Sequence, residues 1–159
     1  MEEQQATLTP IEEVVKRLNE LGASLTVLKR NVRVFHWNVI GKQFIYVHEY
    51  LDELQDDIAE CIDAVYEELR KGDLPLHATL SECLALSKIT EVPSYDKYKV
   101  KDVFARILAD INIIRNMTDS LSTFSDANKF WTCQDLANDI LSKCNKVKYF
   151  MKSSLEDDD

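Results

Sequence analysis

Imidazole and carboxylate side chains recur at a helical spacing in the first half of the sequence. His48 and Asp52 are four residues apart, so the two share one face of a helix. Asp63 and Glu67 have the same spacing, and His36 lies before them across a predicted turn. Imidazole nitrogens with carboxylate oxygens suit iron, manganese or zinc, and no thiolate accompanies them. The pattern therefore favours a metal site.

The distance between the two pairs decides whether one chain can close such a site. At about 1.5 Å per residue, Asp63 lies about 22 Å from His48 along a straight helix, far beyond the roughly 2 Å of a metal–ligand bond. Rotation of about 100° per residue still places Asp52 and Asp63 only about 20° apart around the helix. Two such helices, antiparallel about a twofold axis, would join the two pairs of ligands twice. The spacing favours a metal site at a dimer interface.

Simpler interpretations remain open on spacing alone. A single histidine on a helix is more often a packed core residue than a metal ligand, and acidic runs such as the one containing Asp63 and Glu67 are usually solvated faces. The third histidine, His77, lies in a predicted connection with no ligand set near it.

Composition limits the fold that must position these residues. The chain has 159 residues with only three Gly and three Pro, which leaves few turns and argues against a many-stranded sandwich or a βαβ array. We expect one domain over residues 1–159, with an all-α fold. A formal net charge of −9 argues against strong binding to nucleic acid or anionic membrane, since both need clustered Lys and Arg.

Targeting signals and cysteine usage indicate in which cellular compartment the protein is expected to lie. No apolar run reaches the length of a membrane span, and the start MEEQQATLTP lacks a signal peptide's regions. We therefore expect a soluble, cytoplasmic protein. The cysteines form no CxxC pair, and we expect them to be buried reduced thiols. They are Cys61, Cys83, Cys133 and Cys144.

Capping signals and apolar periodicity divide the chain into helices. Thr9 and Glu12 have capping-box spacing before a long apolar period, and Thr132 and Asp135 resemble an acidic capping box that opens the last helix. Gly22 lies inside the first helix, where close packing against a neighbour would explain it. The predicted helical ranges are 10–38, 43–71, 78–86, 100–124 and 132–150. Four long helices with a short helix in a long crossover predict a ferritin-like four-helix bundle, with flexible tails at 1–9 and 154–159.

Two segments carry a family resemblance. Residues 36–52 read HWNVIGKQFIYVHEYLD, which resembles the signature of the Dps proteins, the mini-ferritins first named as DNA-binding proteins of starved cells. Residues 62–75 read IDAVYEELRKGDLP and are similar to a second family segment, from which they depart at Tyr66 and Glu68. The resemblance covers residues from about 10 to about 155.

The resemblance implies a ferroxidase centre shared between subunits. His36, His48 and Asp52 would come from one subunit, and Asp63 and Glu67 from its twofold mate. Family members are hollow dodecamers that oxidise Fe²⁺, preferentially with hydrogen peroxide, and store ferric mineral. Zinc or manganese are further possible occupants of such a site.

Other positions acquire roles only through the resemblance. Asp126 and Asp135 match carboxylates that line threefold pores, with Trp131 at a position that is frequently acidic in the family. Each aspartate could equally favour a helix amino terminus. Trp37 adjoins the expected site, where it would pack at the dimer interface or take up a stray oxidising equivalent.

Two alternative functions remain. DNA compaction usually needs a basic flexible terminus in this family, yet residues 1–15 contain no Lys or Arg, so we expect no direct DNA binding. We interpret the cluster Lys29, Arg30 and Arg33 as a surface or assembly patch. The departures at Tyr66 and Glu68 keep open a metal-binding cage with little turnover.

Overall fold

A computed structural model describes residues 6–156. It is an all-α bundle of four long helices with one short helix in the crossover between the second and third, as the sequence predicted. The helices are α1 (Pro10–Asn38), α2 (Phe44–Lys71), α3 (Leu80–Leu86), α4 (Val100–Ala127) and α5 (Trp131–Leu155), and the strands are β1 (Val39–Ile40) and β2 (Tyr98–Lys99).

Capping boxes, which depend on residues three apart in sequence, begin two of the helices. The Thr9 hydroxyl accepts a hydrogen bond from the Glu12 amide at 3.2 Å, and the Glu12 carboxylate accepts one from the Thr9 amide at 3.4 Å. This reciprocal pair confirms the predicted capping box and begins α1 at Pro10. The same device at Thr79 and Glu82 begins α3 at Leu80, two residues later than expected.

The predicted capping box at the start of the last helix is wrong. α5 begins at Trp131 after Phe130, which makes no side-chain capping bond. The Thr132 hydroxyl instead donates to a Glu68 carboxylate oxygen on α2 at 2.6 Å, so it joins two helices rather than capping one. α4 also continues past the expected end at residue 124, to Ala127.

The chain termini differ in part from the expected tails. α5 continues through Leu155, and the Ser154 hydroxyl donates to the Phe150 carbonyl at 2.7 Å, so residues 154 and 155 are helical. Leu155 packs against the hydrophobic core, which explains why the helix extends this far. Residues 1–5 and 157–159 of the expected tails lie outside the described residues.

Two buried asparagines on α1 fasten the crossover to the bundle. Asn31 donates to the Thr90 carbonyl at 2.9 Å and accepts from the Val92 amide at 3.1 Å. Asn19 donates to the Pro75 carbonyl at 3.2 Å and accepts from the His77 amide at 2.7 Å. Because the amides satisfy backbone groups that would otherwise lack partners, the long connection is held without regular structure of its own.

The crossover also closes a short parallel ladder that the sequence did not predict. Val39 pairs with Tyr98 and Ile40 with Lys99, directly after α1 and directly before α4. The Tyr98 ring meets the Phe35 ring edge-on at 5.0 Å. This ladder fixes the turn between α1 and α2, where the two candidate histidines lie.

The interior confirms two sequence expectations. All four cysteines are buried and free. A Cβ added to Gly22 would lie 2.7 Å from Tyr66 Cζ, so the glycine permits the close approach of α2. Between residues 6 and 156, no helix combines the length and apolar character needed to cross a membrane.

Candidate metal site

The two histidines expected to bind metal lie against each other at the joint between α1 and α2. Their rings stack with centroids 3.6 Å apart and planes 20° from parallel. His36, near the end of α1, is 8% exposed, and His48 lies in the second turn of α2. The turn through β1 thus brings together two residues that are twelve apart in sequence.

Each histidine is oriented by the backbone of the other. His36 Nδ1 lies 2.8 Å from the His48 carbonyl oxygen, and His48 Nδ1 lies 2.9 Å from the His36 carbonyl oxygen. A carbonyl oxygen only accepts, so both Nδ1 atoms must carry the proton. In the neutral rings the Nε2 atoms then hold free lone pairs, which is the state that metal ligation requires.

Asp52 lies one helical turn after His48 and is held by a cation. Its Oδ1 accepts from Arg33 Nη1 at 2.6 Å, and the Arg33 guanidinium also lies 5.3 Å from the Trp37 ring centroid. Arg33 therefore has a specific role beside the candidate ligands, apart from the patch in which we grouped it with Lys29 and Arg30. Its helical spacing to His36 and Trp37 was the signal in the sequence that could have indicated this role.

Trp37 lies on the surface of the single chain, with 56% of its area exposed. Its ring packs under the Arg33 guanidinium, a cation–π contact that limits where this side chain can move.

Asp63 and Glu67 lie toward the other end of α2. Both are exposed, and neither makes a hydrogen bond or ion pair with any residue between 6 and 156. One chain thus presents two separate pairs of candidate ligands on a single unbroken helix. Across the described part of the chain, no group of three or more His, Cys, Asp or Glu residues could hold a metal ion.

The two departures from the family pattern serve packing between helices. The Tyr66 hydroxyl reaches toward the His77 carbonyl at 3.4 Å and Cys83 Sγ at 3.6 Å, in and just before α3. Burial and the neighbouring Cys83 raise the pKa of this phenol, so it stays neutral. Glu68 accepts from Thr132 on α5. Both side chains have partners of their own, so neither engages Asp63 or Glu67.

The candidate pore residues lie on both sides of the α4–α5 turn. Asp126 is in the last turn of α4, where its carbonyl accepts from the Lys129 amide, and Asp135 is in the second turn of α5. Both are exposed, as is Trp131 at 54%. Asp126 therefore does not sit at a helix amino terminus, which removes that explanation for it.

The bundle and its domain match define the class of protein. A family model described as a ferritin-like domain matches residues 15–159. The fold is therefore that of the ferritin-like proteins.

Relatives narrow this class. The DNA protection during starvation protein of Helicobacter pylori is 30% identical over 139 residues, which cover 87% of this chain and 95% of the relative. The crystal structure of antigen TpF1 from Treponema pallidum superposes with a TM-score of 0.90 at 24% identity, covering 93% and 94% of the two chains. The crystal structure of a Vibrio cholerae Dps protein, described as a member of a broad superfamily of ferritin-like diiron-carboxylate proteins, superposes with a TM-score of 0.88 at 20% identity. The superposition covers 92% of this chain and 91% of that chain. The chain belongs to the Dps family, whose general function is iron storage and protection.

Proposed function

We propose that this protein is a ferroxidase and an iron-storage cage. Fe²⁺ would bind between two subunits, held by His36, His48 and Asp52 of one and by Asp63 and Glu67 of the other. The observation that carries the proposal is the reciprocal hydrogen bonding of the two histidines, which leaves both Nε2 atoms free beside a carboxylate. The unpartnered carboxylates on the same helix supply what a second copy would add.

The chemistry follows from the donor set. Carboxylate oxygens favour a hard cation and stabilise the ferric product, while imidazole nitrogens retain Fe²⁺. Two Fe²⁺ ions supply the two electrons that reduce one hydrogen peroxide, with two protons, to two water molecules. Paired oxidation therefore consumes peroxide without releasing hydroxyl radical. We propose peroxide as the preferred oxidant over oxygen because the family resemblance implies it.

Storage requires a closed assembly. We propose a homo-oligomer of twelve subunits in the cytoplasm, with ferric mineral inside and Asp126 and Asp135 along the route of entry. The acidic character of α2 supports this, because several of its carboxylates have no cation partner in the described chain and would attract Fe²⁺.

The test is rapid oxidation of Fe²⁺ by the assembled protein. Stopped-flow absorbance should show fast peroxide-dependent oxidation by the wild type and slower oxidation with oxygen. The His48→Ala/Asp52→Ala variant should lose the rapid phase by at least about 100-fold, since it lacks two ligands. His77→Ala/Asp119→Ala removes the same residue types elsewhere and should keep the wild-type rate.

Light scattering must first show that all three proteins assemble alike. Unchanged kinetics in the His48→Ala/Asp52→Ala shell would overturn the ligand assignment. Equal loss in the His77→Ala/Asp119→Ala control would show that the effect is not specific to the site.

Arg33 is expected to compete with metal for Asp52. The pair is partly exposed, with side-chain exposures of 25% and 58%, so it contributes at most about 1 kcal/mol. Arg33→Gln should therefore raise Fe²⁺ affinity about two- to fivefold, measured by anaerobic calorimetry. Arg30→Gln removes the same charge from the same helix without touching Asp52 and should leave affinity unchanged. Weaker binding in Arg33→Gln would mean that the guanidinium orients Asp52 for the metal.

Direct DNA binding is not expected. The net charge is −9, and one of the three clustered cations of α1, Arg33, is already engaged by Asp52. Gel-shift assays with duplex DNA at neutral pH and physiological salt should therefore show no complex. A submicromolar complex that dissociates as salt rises would contradict this prediction.

A further inference from the structure

A groove between α1 and α3 is lined by residues to which the proposed iron chemistry gives no role. Its volume is about 520 Å³, and the cluster Lys29, Arg30 and Arg33 lies along its α1 wall. Leu80 and Leu84 line the α3 wall, one helical turn apart, and are 77% and 52% exposed. The groove is therefore open in the single chain, with two large apolar side chains at its surface.

Two charged side chains in this groove have no partner within the chain. Among the described residues that line the groove, Glu91 is the one acid. Neither Glu91 nor Lys29 forms a hydrogen bond or an ion pair within residues 6–156. Arg33, by contrast, donates to Asp52 at 2.6 Å. Lys29 is half-buried beside the groove, so a cation and an anion line the same space without contacting each other.

The groove lies beside the twofold axis that the proposed metal site requires. That site places Asp52 opposite Asp63 of the other subunit, so the axis would cross α2 midway, between residues 57 and 58. Gln55 also lines the groove. It lies about 4 Å from that level along the helix and about 60° around the helix from Asp52. Because surfaces at a twofold axis meet their own copies, the groove of one chain would face the groove of the other.

We propose that a second copy of this chain covers the groove and extends the twofold interface beyond the metal site. Leu80 and Leu84 of the two copies would pack together and leave water. Lys29 would pair with Glu91 of the other copy, twice by symmetry. This inference rests on the proposed function, because the shared metal site fixes the axis. It adds a contact that aligns the two α2 helices, on which the joining of the two ligand pairs depends.

Charge reversal tests the pairing of Lys29 with Glu91. Lys29→Glu alone or Glu91→Lys alone would place like charges across the axis, so light scattering should show smaller species than the wild type. When the two variants are expressed together, only the mixed pair has attraction at both contacts. Mixed pairs should therefore exceed same-chain pairs at least about tenfold. Native mass spectrometry of the iron-free assemblies should count the two chains in equal numbers, and added salt should reduce the preference.

The control exchanges an ion pair within one chain. Lys88 Nζ lies 3.9 Å from a Glu20 carboxylate oxygen. Lys88→Glu and Glu20→Lys make the same charge changes as the test variants, and these two chains should mix at random. Random mixing of the Lys29→Glu and Glu91→Lys chains would overturn the proposal, as would wild-type assembly by each of them alone.

A further variant tests the apolar part of the contact. Leu80→Asp/Leu84→Asp would bring like charges together at the axis and should shift the assemblies to smaller species. Both leucines are exposed in the single chain, so helicity measured by circular dichroism should stay at the wild-type value. Unchanged assembly would overturn the packing of α3 against its copy.

The absence of iron from these measurements separates this inference from the proposed function. Random mixing counts against the interface alone. Selective pairing by a protein that does not oxidise Fe²⁺ would support the interface and count against the proposed metal site.

Discussion

Two inactive variants of this protein should regain ferroxidase activity when their chains assemble together. One variant carries His48→Ala and Asp52→Ala, and the other carries Asp63→Ala and Glu67→Ala. Each alone lacks two of the five proposed ligands at every site. In a twofold dimer of the two, one site combines both damaged halves, whereas the other combines both intact halves. Activity should therefore return only in mixed shells.

The recovery has an expected size. Random mixing makes about half of the dimers mixed, and each of these has one intact site of two, so about one quarter of the wild-type sites should work. Stopped-flow oxidation by co-expressed, doubly tagged shells measures this fraction. Shells mixed only after separate assembly are the control and should stay inactive. No recovery in co-assembled shells would contradict the proposal that two subunits share the site.

Gly22→Ala should destabilise the protein although alanine normally favours a helix. The added Cβ would lie 2.7 Å from Tyr66 Cζ and 2.9 Å from its hydroxyl oxygen, closer than atoms can pack. The atoms that the Cβ would meet form the end of the Tyr66 side chain, whose hydroxyl lies 3.4 Å from the His77 carbonyl oxygen and 3.6 Å from Cys83 Sγ. Because the ring can move away only by giving up these contacts, we expect a loss of about 1 kcal/mol in the free energy of unfolding. Chemical denaturation at matched protomer concentration measures it, since assembly contributes to stability.

A substitution of Tyr66, the other residue in this contact, provides the control. Tyr66→Leu removes the ring atoms that the new Cβ would meet. In that background Gly22→Ala should stabilise the helix by up to about 1 kcal/mol, because only the helix propensity remains. The same destabilisation in both backgrounds would place the strain elsewhere.

The helices could be predicted from the sequence where their signals are local. The capping box of Thr9 and Glu12 depends on residues three apart, and it begins α1 where expected. The start of α5 was misjudged because Thr132 has two possible partners. Its hydroxyl bonds to Glu68, far away in sequence, and no local pattern shows which acceptor is nearer. The ladder between β1 and β2 escaped prediction for the same reason, since two residues carry no strand periodicity.

The candidate site was likewise predictable where it depends on local spacing, and not where it depends on packing between helices. The spacing of His48, Asp52 and Asp63 on one helix could be read from the sequence because a helix fixes rise and rotation. The pairing of Arg33 with Asp52 depends on the axial position of α1 relative to α2. Packing across the bundle sets that position, so it could not be predicted from local sequence. The family resemblance indicated His36 as a candidate ligand, and the structure shows what orients its ring.

The reciprocal bonds between the histidines have a consequence for how the sequence can change over time. Metal-binding histidines are often oriented by a carboxylate, and one mutation can remove that support. Here both acceptors are main-chain carbonyls, which every amino acid provides. Substitutions around the pair can therefore accumulate without releasing either ring, provided that the two helices still meet. The backbone therefore sets the orientation of both candidate ligands, and substitution of the surrounding side chains leaves that orientation in place.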